Sequence, residues 1–353
     1  MSITVRQAVL SPLWAAQLLT GAKSFGDNPI LGSPALNARG LHVARLRAAH
    51  GLAWQRRGRL ASRLSAAHRA AFDRDGFVEV RDFLPAEHFH ALRDQAGASR
   101  GPAREMAQGD TITRRVPLDP ATLARIPAAA ALLDLPAWRN LVRYAGSYDA
   151  EPVTYIQTIL NKVHPGPPDP QTALHADTFH PSVKAWLFLT DVAEDAGPFV
   201  YVPGSHRLSP GRLEWERCTS IGAATAEDRL TRRGSFRIPE SALAEIGLPK
   251  PRAFAVPANT LIVADTFGFH ARGASLVPSM RVEVWAYGRR NPFLPWTGLD
   301  LWSINSLGRR RAPAFWSLSD RLQAWNIKGH AWRAHADVSA FDGAGQVTPP
   351  AFD

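Results

Sequence analysis

From Val153 to about Gly288 the chain alternates short apolar runs with turn-forming clusters. Thr154-Tyr155-Ile156-Gln157-Thr158-Ile159-Leu160 reads as a strand, rich in β-branched and aromatic residues. The loop 165–170 follows it, holding four of its six residues as Pro. Further runs at 184–189, 263–269 and 281–287 are separated by Gly, Pro, Asp and Ser. Strands this short, with no helical pattern between most of them, predict an antiparallel barrel or sandwich and exclude alternating βαβ units. Helical patterns lie mainly upstream, at 36–64, from Pro85 onward and at 127–145, so the fold class is mainly β with flanking helices. Residues 97–120 read as polar loop with one short strand at Thr111-Ile112-Thr113, and residues 1–20 as a helix broken near Pro12.

Within the strand-rich region, His175-Ala176-Asp177 is an H-x-D pair. On a strand, residues two apart share a face, so an imidazole and a carboxylate would project side by side. The run 263–269 ends on a second histidine, His270. Two histidines and one carboxylate form the facial triad of non-haem Fe(II) oxygenases, which leaves coordination positions open for substrate and dioxygen. A lone H-x-D is weak, since such pairs are common as surface or capping residues. The ensemble with Pro203-Gly204-Ser205-His206, His270 and Arg281 is far more specific.

That ensemble resembles the phytanoyl-CoA dioxygenase family of Fe(II)- and 2-oxoglutarate-dependent oxygenases. The matching residues are His175-Ala176-Asp177, Ala185-Trp186, Asp195-Ala196-Gly197, Pro203-Gly204-Ser205-His206, His270 and Arg281. Upstream, Phe72-Asp73-Arg74-Asp75-Gly76-Phe77-Val78 and Arg81-Asp82-Phe83-Leu84 look like the start of the family's domain. The resemblance implies a double-stranded β-helix, a jelly-roll barrel. It also implies Fe(II), 2-oxoglutarate and O2, with His175, Asp177 and His270 as metal ligands. Arg281 would hold the far carboxylate of 2-oxoglutarate, a fork-to-fork match of guanidinium and carboxylate. Arg272, two residues past His270, is its rival. Trp186 would lie near the cosubstrate or pack in the core. Gln157 and Asn161 could reach cosubstrate or substrate, or serve ladder and turn. His206 orders a turn; His180 and Lys184 lie close in sequence, and His164 has no assigned role. Asp177 also favours hydroxylation, because halogenating relatives lack this carboxylate.

The resemblance spans roughly 67–290, which divides the chain into a basic helical N-terminal extension (1–66), the dioxygenase domain (67–290) and a basic, Trp-rich extension packing on the barrel (291–353). The ends carry much of the positive charge. The 353 residues have a net charge of +10, and eight arginines but no acid lie between Asn28 and Phe72. Six of the eleven tryptophans fall in 285–332, among seven basic residues including Lys328. Such charge predicts an acidic partner. Arginine with tryptophan suits an anionic membrane surface, reached peripherally, or packing on the barrel. Nucleic acid is not expected, since no binding motif appears. No run reaches the ~20 apolar residues of a spanning helix, and the one cysteine, Cys218, excludes an intrachain disulfide. The expectation is a cytoplasmic enzyme, peripheral on the inner face of the cytoplasmic membrane. Its substrate would be an anionic lipid or lipopolysaccharide-type molecule, such as the Kdo sugar of lipopolysaccharide. The alternatives are a soluble oxygenase of a small acid or natural product, or a catalytically silent binding barrel.

Overall fold

The computed structural model describes residues 12–300, 303–327 and 329–344. The first eleven residues, Trp302 and Lys328, all used in the sequence reading, lie outside the described residues.

Among the described residues, eleven strands form two antiparallel sheets: β1 (Phe77–Val80), β2 (Arg100–Gln108), β3 (Thr111–Pro117), β4 (Val153–Asn161), β5 (Val183–Phe188), β6 (Phe199–Tyr201), β7 (Arg252–Phe254), β8 (Leu261–Asp265), β9 (His270–Arg272), β10 (Ser279–Gly288) and β11 (Arg333–Ser339). The large sheet runs β1-β8-β5-β10-β4-β3-β2-β11 and the small one β7-β6-β9. This is the mainly β, two-sheet architecture that the strand pattern predicts, and it fits the jelly roll that the family resemblance implies.

Both faces of the large sheet are covered, and the alternation along β10 shows how. Val282, Val284 and Ala286 face the helical layer, joining Val183, Ala185, Leu187, Leu261 and Val263 against Trp138, Leu141 and Val142 of the helix Pro136–Gly146. The intervening Arg281, Glu283, Trp285 and Tyr287 face the small sheet. There, one end closes as an aromatic core of Phe77, Trp186, Phe188, Phe199, Tyr201 and Phe254. The other end stays open and polar.

One expectation needs correction. Residues 97–120 hold the β2–β3 hairpin, not a loop. Their charges are neutralised internally: Arg114 and Glu105 form a buried pair at 2.5 Å. The basic helix Leu41–Leu60 packs inside the helical layer. Arg45 donates to the carbonyls of Leu18, Thr20 and Ala22, and Arg56 to those of Ser147, Pro292 and Leu294. Arg57 pairs with Asp265. Buried polar groups must find partners, and these guanidiniums find them inside the protein. The C-terminal extension is likewise integrated: β11 pairs with β2 as an edge strand of the large sheet.

Candidate active site

His175 and Asp177 do not sit on a regular strand. His175 exchanges two backbone hydrogen bonds with His270, each 3.0 Å. The next amide, Ala176, donates to Phe236, and Asp177 donates to Thr266. Successive N–H groups go to different elements, so the segment cannot continue as a ladder. His270 opens β9 after a tight turn at Gly268, where any Cβ would collide with the Tyr201 hydroxyl. Glycine is the residue that lets this turn form.

The three side chains converge, with their donor atoms all within 4.8 Å of one another. Asp177 Oδ1 stands 3.7 Å from His175 Nε2 and 3.6 Å from His270 Nε2. Each imidazole is oriented from behind: His175 Nδ1 is 2.8 Å from the Ala173 carbonyl and His270 Nδ1 is 2.9 Å from the Gly268 carbonyl. An Nδ1–H donating to a carbonyl fixes the tautomer and leaves Nε2 as an open lone pair, the arrangement usual behind metal-ligating histidines. Burial, then the neighbouring His270, lowers the His175 pKa to about 3 and keeps it neutral. For Asp177 burial acts in the opposite sense, but Lys184 and His270 outweigh it and hold the carboxyl well below its ordinary range. Two imidazoles and a carboxylate, preset and converging, fit a divalent metal and suit Fe(II).

A cavity of about 400 Å³ opens over these ligands. Six cations line it, Lys23, Arg115, Lys184, Arg272, Arg281 and Arg289, and Asp177 is the only carboxylate among its lining residues. Lys184 Nζ lies 2.7 Å from Asp177 Oδ2 and 3.3 Å from His270 Nε2. Lys23, from the N-terminal Gly-rich loop, donates to the Asp177 carbonyl at 2.5 Å. Burial, against the pull of Asp177, brings its pKa down to about 8.

The other expected residues divide. Trp186 lines the cavity and also packs on Phe199 with ring centroids 4.2 Å apart. Gln157 lines the cavity, accepting from Arg115 at 2.9 Å and donating to Glu283 at 2.8 Å. Arg281 and Arg272 both reach the cavity. Arg281 is braced by Glu283 (2.9 Å) and the Gly197 carbonyl (2.5 Å), and Arg272 by Asp169 (2.5 Å). Asn161 serves a turn, donating to Ala196 O and Ser279 Oγ. His206 lies away from the cavity, between the rings of Trp54 and Phe72. Lys23, Arg115 and Arg289 had no role in the sequence reading. Their chain positions give no local signal, because remote segments bring them to the cavity.

Comparison with known proteins agrees with this geometry. The family model described as Phytanoyl-CoA dioxygenase (PhyH) matches residues 72–234, which include the H-x-D pair. His270 and Arg281 fall beyond the match and are joined to it by the fold. No curated protein sequence matches the chain. Among solved structures, the non-haem α-ketoglutarate-dependent epimerase SnoN from nogalamycin biosynthesis is 22% identical, with a TM-score of 0.43, covering 66% of this chain and 91% of its own. HygX from Streptomyces hygroscopicus, with nickel and 2-oxoglutarate bound, is 19% identical, with a TM-score of 0.38 and coverage of 64% and 87%. EctD from S. alaskensis, with 2-oxoglutarate and 5-hydroxyectoine, is 20% identical, with a TM-score of 0.39 and coverage of 64% and 76%. The family match over residues 72–234, together with the converging triad, makes this part of the chain similar to the phytanoyl-CoA dioxygenases.

Proposed function

We propose that the enzyme hydroxylates a C–H bond of an anionic organic substrate bound in the cationic cavity. The single observation that carries this reading is the lining of six cations against one carboxylate, which is itself a metal ligand. Such a cavity concentrates acids and excludes cationic substrates.

Within the site, His175, Asp177 and His270 would hold Fe(II). When bound with 2-oxoglutarate, the metal supplies dioxygen activation; overall, 2-oxoglutarate, O2 and R–H give succinate, CO2 and R–OH. The chain's own residues do the rest. Arg281 is assigned to the far carboxylate of 2-oxoglutarate, since it is rigidly braced and presents a planar fork. Asp177 fills a ligand position with carboxylate, which favours hydroxylation over halogenation. Trp186 and Phe199 close the apolar end and keep water from the reacting face.

SnoN, HygX and EctD are named for small molecules and natural products, and a diffusible acid suits this cavity equally well. The lipid or lipopolysaccharide version of the substrate draws its support from one segment only. The N-terminal arginines Arg45, Arg56 and Arg57 are used internally, whereas Trp296, Phe315, Leu318, Trp325 and Ile327 are exposed. Among the described residues no helix is long and apolar enough to cross a membrane.

The test is anaerobic addition of Fe(II) and 2-oxoglutarate. A weak visible charge-transfer band should appear with wild type and be absent with His175→Ala. Succinate should form with wild type and not with Asp177→Ala. A folded wild-type protein that binds neither iron nor 2-oxoglutarate would leave only a silent binding barrel.

A further inference from the structure

Arg115 on β3 is half-buried and lines two cavities. One is the cavity over the triad. The other, of about 310 Å³, is walled by Tyr155, Phe315, Trp316, Leu318, Leu322 and Trp332. Most of that wall comes from the C-terminal helix Arg311–Ala324 and the segment after it, beyond the matched part of the chain. Trp316 stacks on Tyr155 of β4 with ring centroids 6.0 Å apart and an interplanar angle of 18°. The helix thereby roofs the same sheet face that carries the catalytic cavity. The register makes this one continuous surface: Arg115 pairs with Gln157, Gln157 with Glu283, and Tyr155 with Trp285.

Arg115 has the environment of an anion receptor. Its guanidinium centre lies 4.2 Å from the centroid of Trp285, 4.8 Å from Trp332 and 5.4 Å from Tyr155. Its Nε donates to Gln157. Among the described residues no carboxylate forms an ion pair with it, unlike Arg281 and Arg272. A cation half-removed from water with no ion-pair partner favours an incoming anion, and a carboxylate can meet its fork with a bidentate contact.

We propose that Arg115 and the aromatic chamber form the specificity subsite for the primary substrate. Arg115 receives the substrate's carboxylate, and the chamber takes an apolar tail attached to it. The substrate class is then an amphipathic organic acid, not a small hydrophilic one. This inference rests on the oxygenase reading above, and deepens it by naming what the C-terminal segment beyond the family match recognises.

The test uses saturated fatty acids below their micelle concentrations, titrated into full-length metal-free protein and followed by tryptophan fluorescence and calorimetry. Burial of each methylene is worth about fourfold in affinity, so affinity should climb from hexanoate through octanoate to decanoate until the chamber is full. Decanol should bind at least tenfold more weakly than decanoate. Arg115→Gln should remove that preference for the acid. Leu322→Trp, which fills the chamber from a half-buried helix position, should abolish the chain-length dependence. It should leave the Fe(II)/2-oxoglutarate charge-transfer band intact, which also reports that the site is folded. Decanoate binding unchanged by both substitutions would overturn the proposal. So would failure of wild type to bind any monomeric acid while adhering to anionic phosphatidylglycerol vesicles; that result would give the aromatic face to a membrane surface. Loss of the charge-transfer band in wild type, with decanoate still bound, would instead refute the oxygenase reading and leave the subsite standing.

Discussion

Replacing Arg57 should unfold the protein more readily than any exposed arginine substitution, and should loosen the metal site at the same time. Arg57 lies on the helix Leu41–Leu60, with its side chain 1% exposed, and its Nη2 stands 2.8 Å from Asp265 Oδ2, itself 0% exposed. It also donates to the carbonyls of Tyr144 (3.2 Å) and Ala145 (2.6 Å). Removing one partner of a buried pair strands the other charge, which costs about 3–5 kcal/mol. Asp265 has two further duties: its Oδ1 accepts from Ser182 N at 3.2 Å and Phe267 N at 3.0 Å. The next residue, Thr266, supplies the carbonyl that receives the Asp177 amide at 2.9 Å. The strain of an unpaired Asp265 therefore reaches a metal ligand through one peptide. Loss of such support behind ligands typically costs 10–100-fold in metal affinity. Urea denaturation of Arg57→Met against wild type measures the first effect, and Fe(II) titration of the folded variant the second. Arg59→Ala on the same helix, exposed and bonded to the Pro295 carbonyl, is the control and should cost under about 1 kcal/mol. In the cycle with Asp265→Asn, the double variant should recover part of the loss, because the stranded charge is gone. A cost for Arg57→Met below about 1 kcal/mol, or strict additivity in the cycle, would refute the reasoning.

Other outcomes follow from the same geometry. Arg281→Ala should weaken 2-oxoglutarate binding by about 2–5 kcal/mol while sparing iron; a larger effect from Arg272→Ala, measured in the same titration, would transfer the role to Arg272. Stability should fall on acidification. Burial, followed by Arg289 for His180 and Arg57 for His206, lowers both pKa values to about 3. The unfolded chain therefore takes up these protons first, and the stabilisation, complete above about pH 6.5, is lost as pH falls toward 3. Each histidine contributes about 1.4 kcal/mol per pH unit in that window. Urea midpoints at pH 7 and 5 should show the loss, and His206→Phe should shrink it. For the membrane reading, binding to anionic vesicles should require the exposed Trp325 and Ile327 and should weaken with salt; recovery of the protein entirely in the supernatant at low salt would end that reading.

The parts of this enzyme legible in the sequence are those whose chemistry admits few substitutes. A metal triad needs two imidazoles and a carboxylate, so His175, Asp177 and His270 announced themselves by type and spacing. Alternating Arg281-Val282-Glu283-Val284-Trp285 announced β10. The H-x-D pair was placed on a strand because period-two spacing suits one; the structure reaches the same convergence by sending three successive amides to three different partners, a pattern with no local signature. Charge misled where it was counted instead of placed. Arg104, Glu105 and Arg114 made β2 and β3 look solvated, yet all three are buried. The eight arginines between Asn28 and Phe72 suit a membrane surface or internal packing alike, and Arg45, Arg56 and Arg57 hold backbone carbonyls inside the protein. Arginine has five donors on a long apolar stem, so it can knit distant segments from within, and sequence proximity does not show which carbonyls it will meet. The same long reach explains the unforeseen half of the site. Lys23 arrives from 154 residues before its partner Asp177, and Arg115 from a hairpin read as a loop. A triad can be written locally, but the cationic cavity around it is assembled only by the tertiary fold.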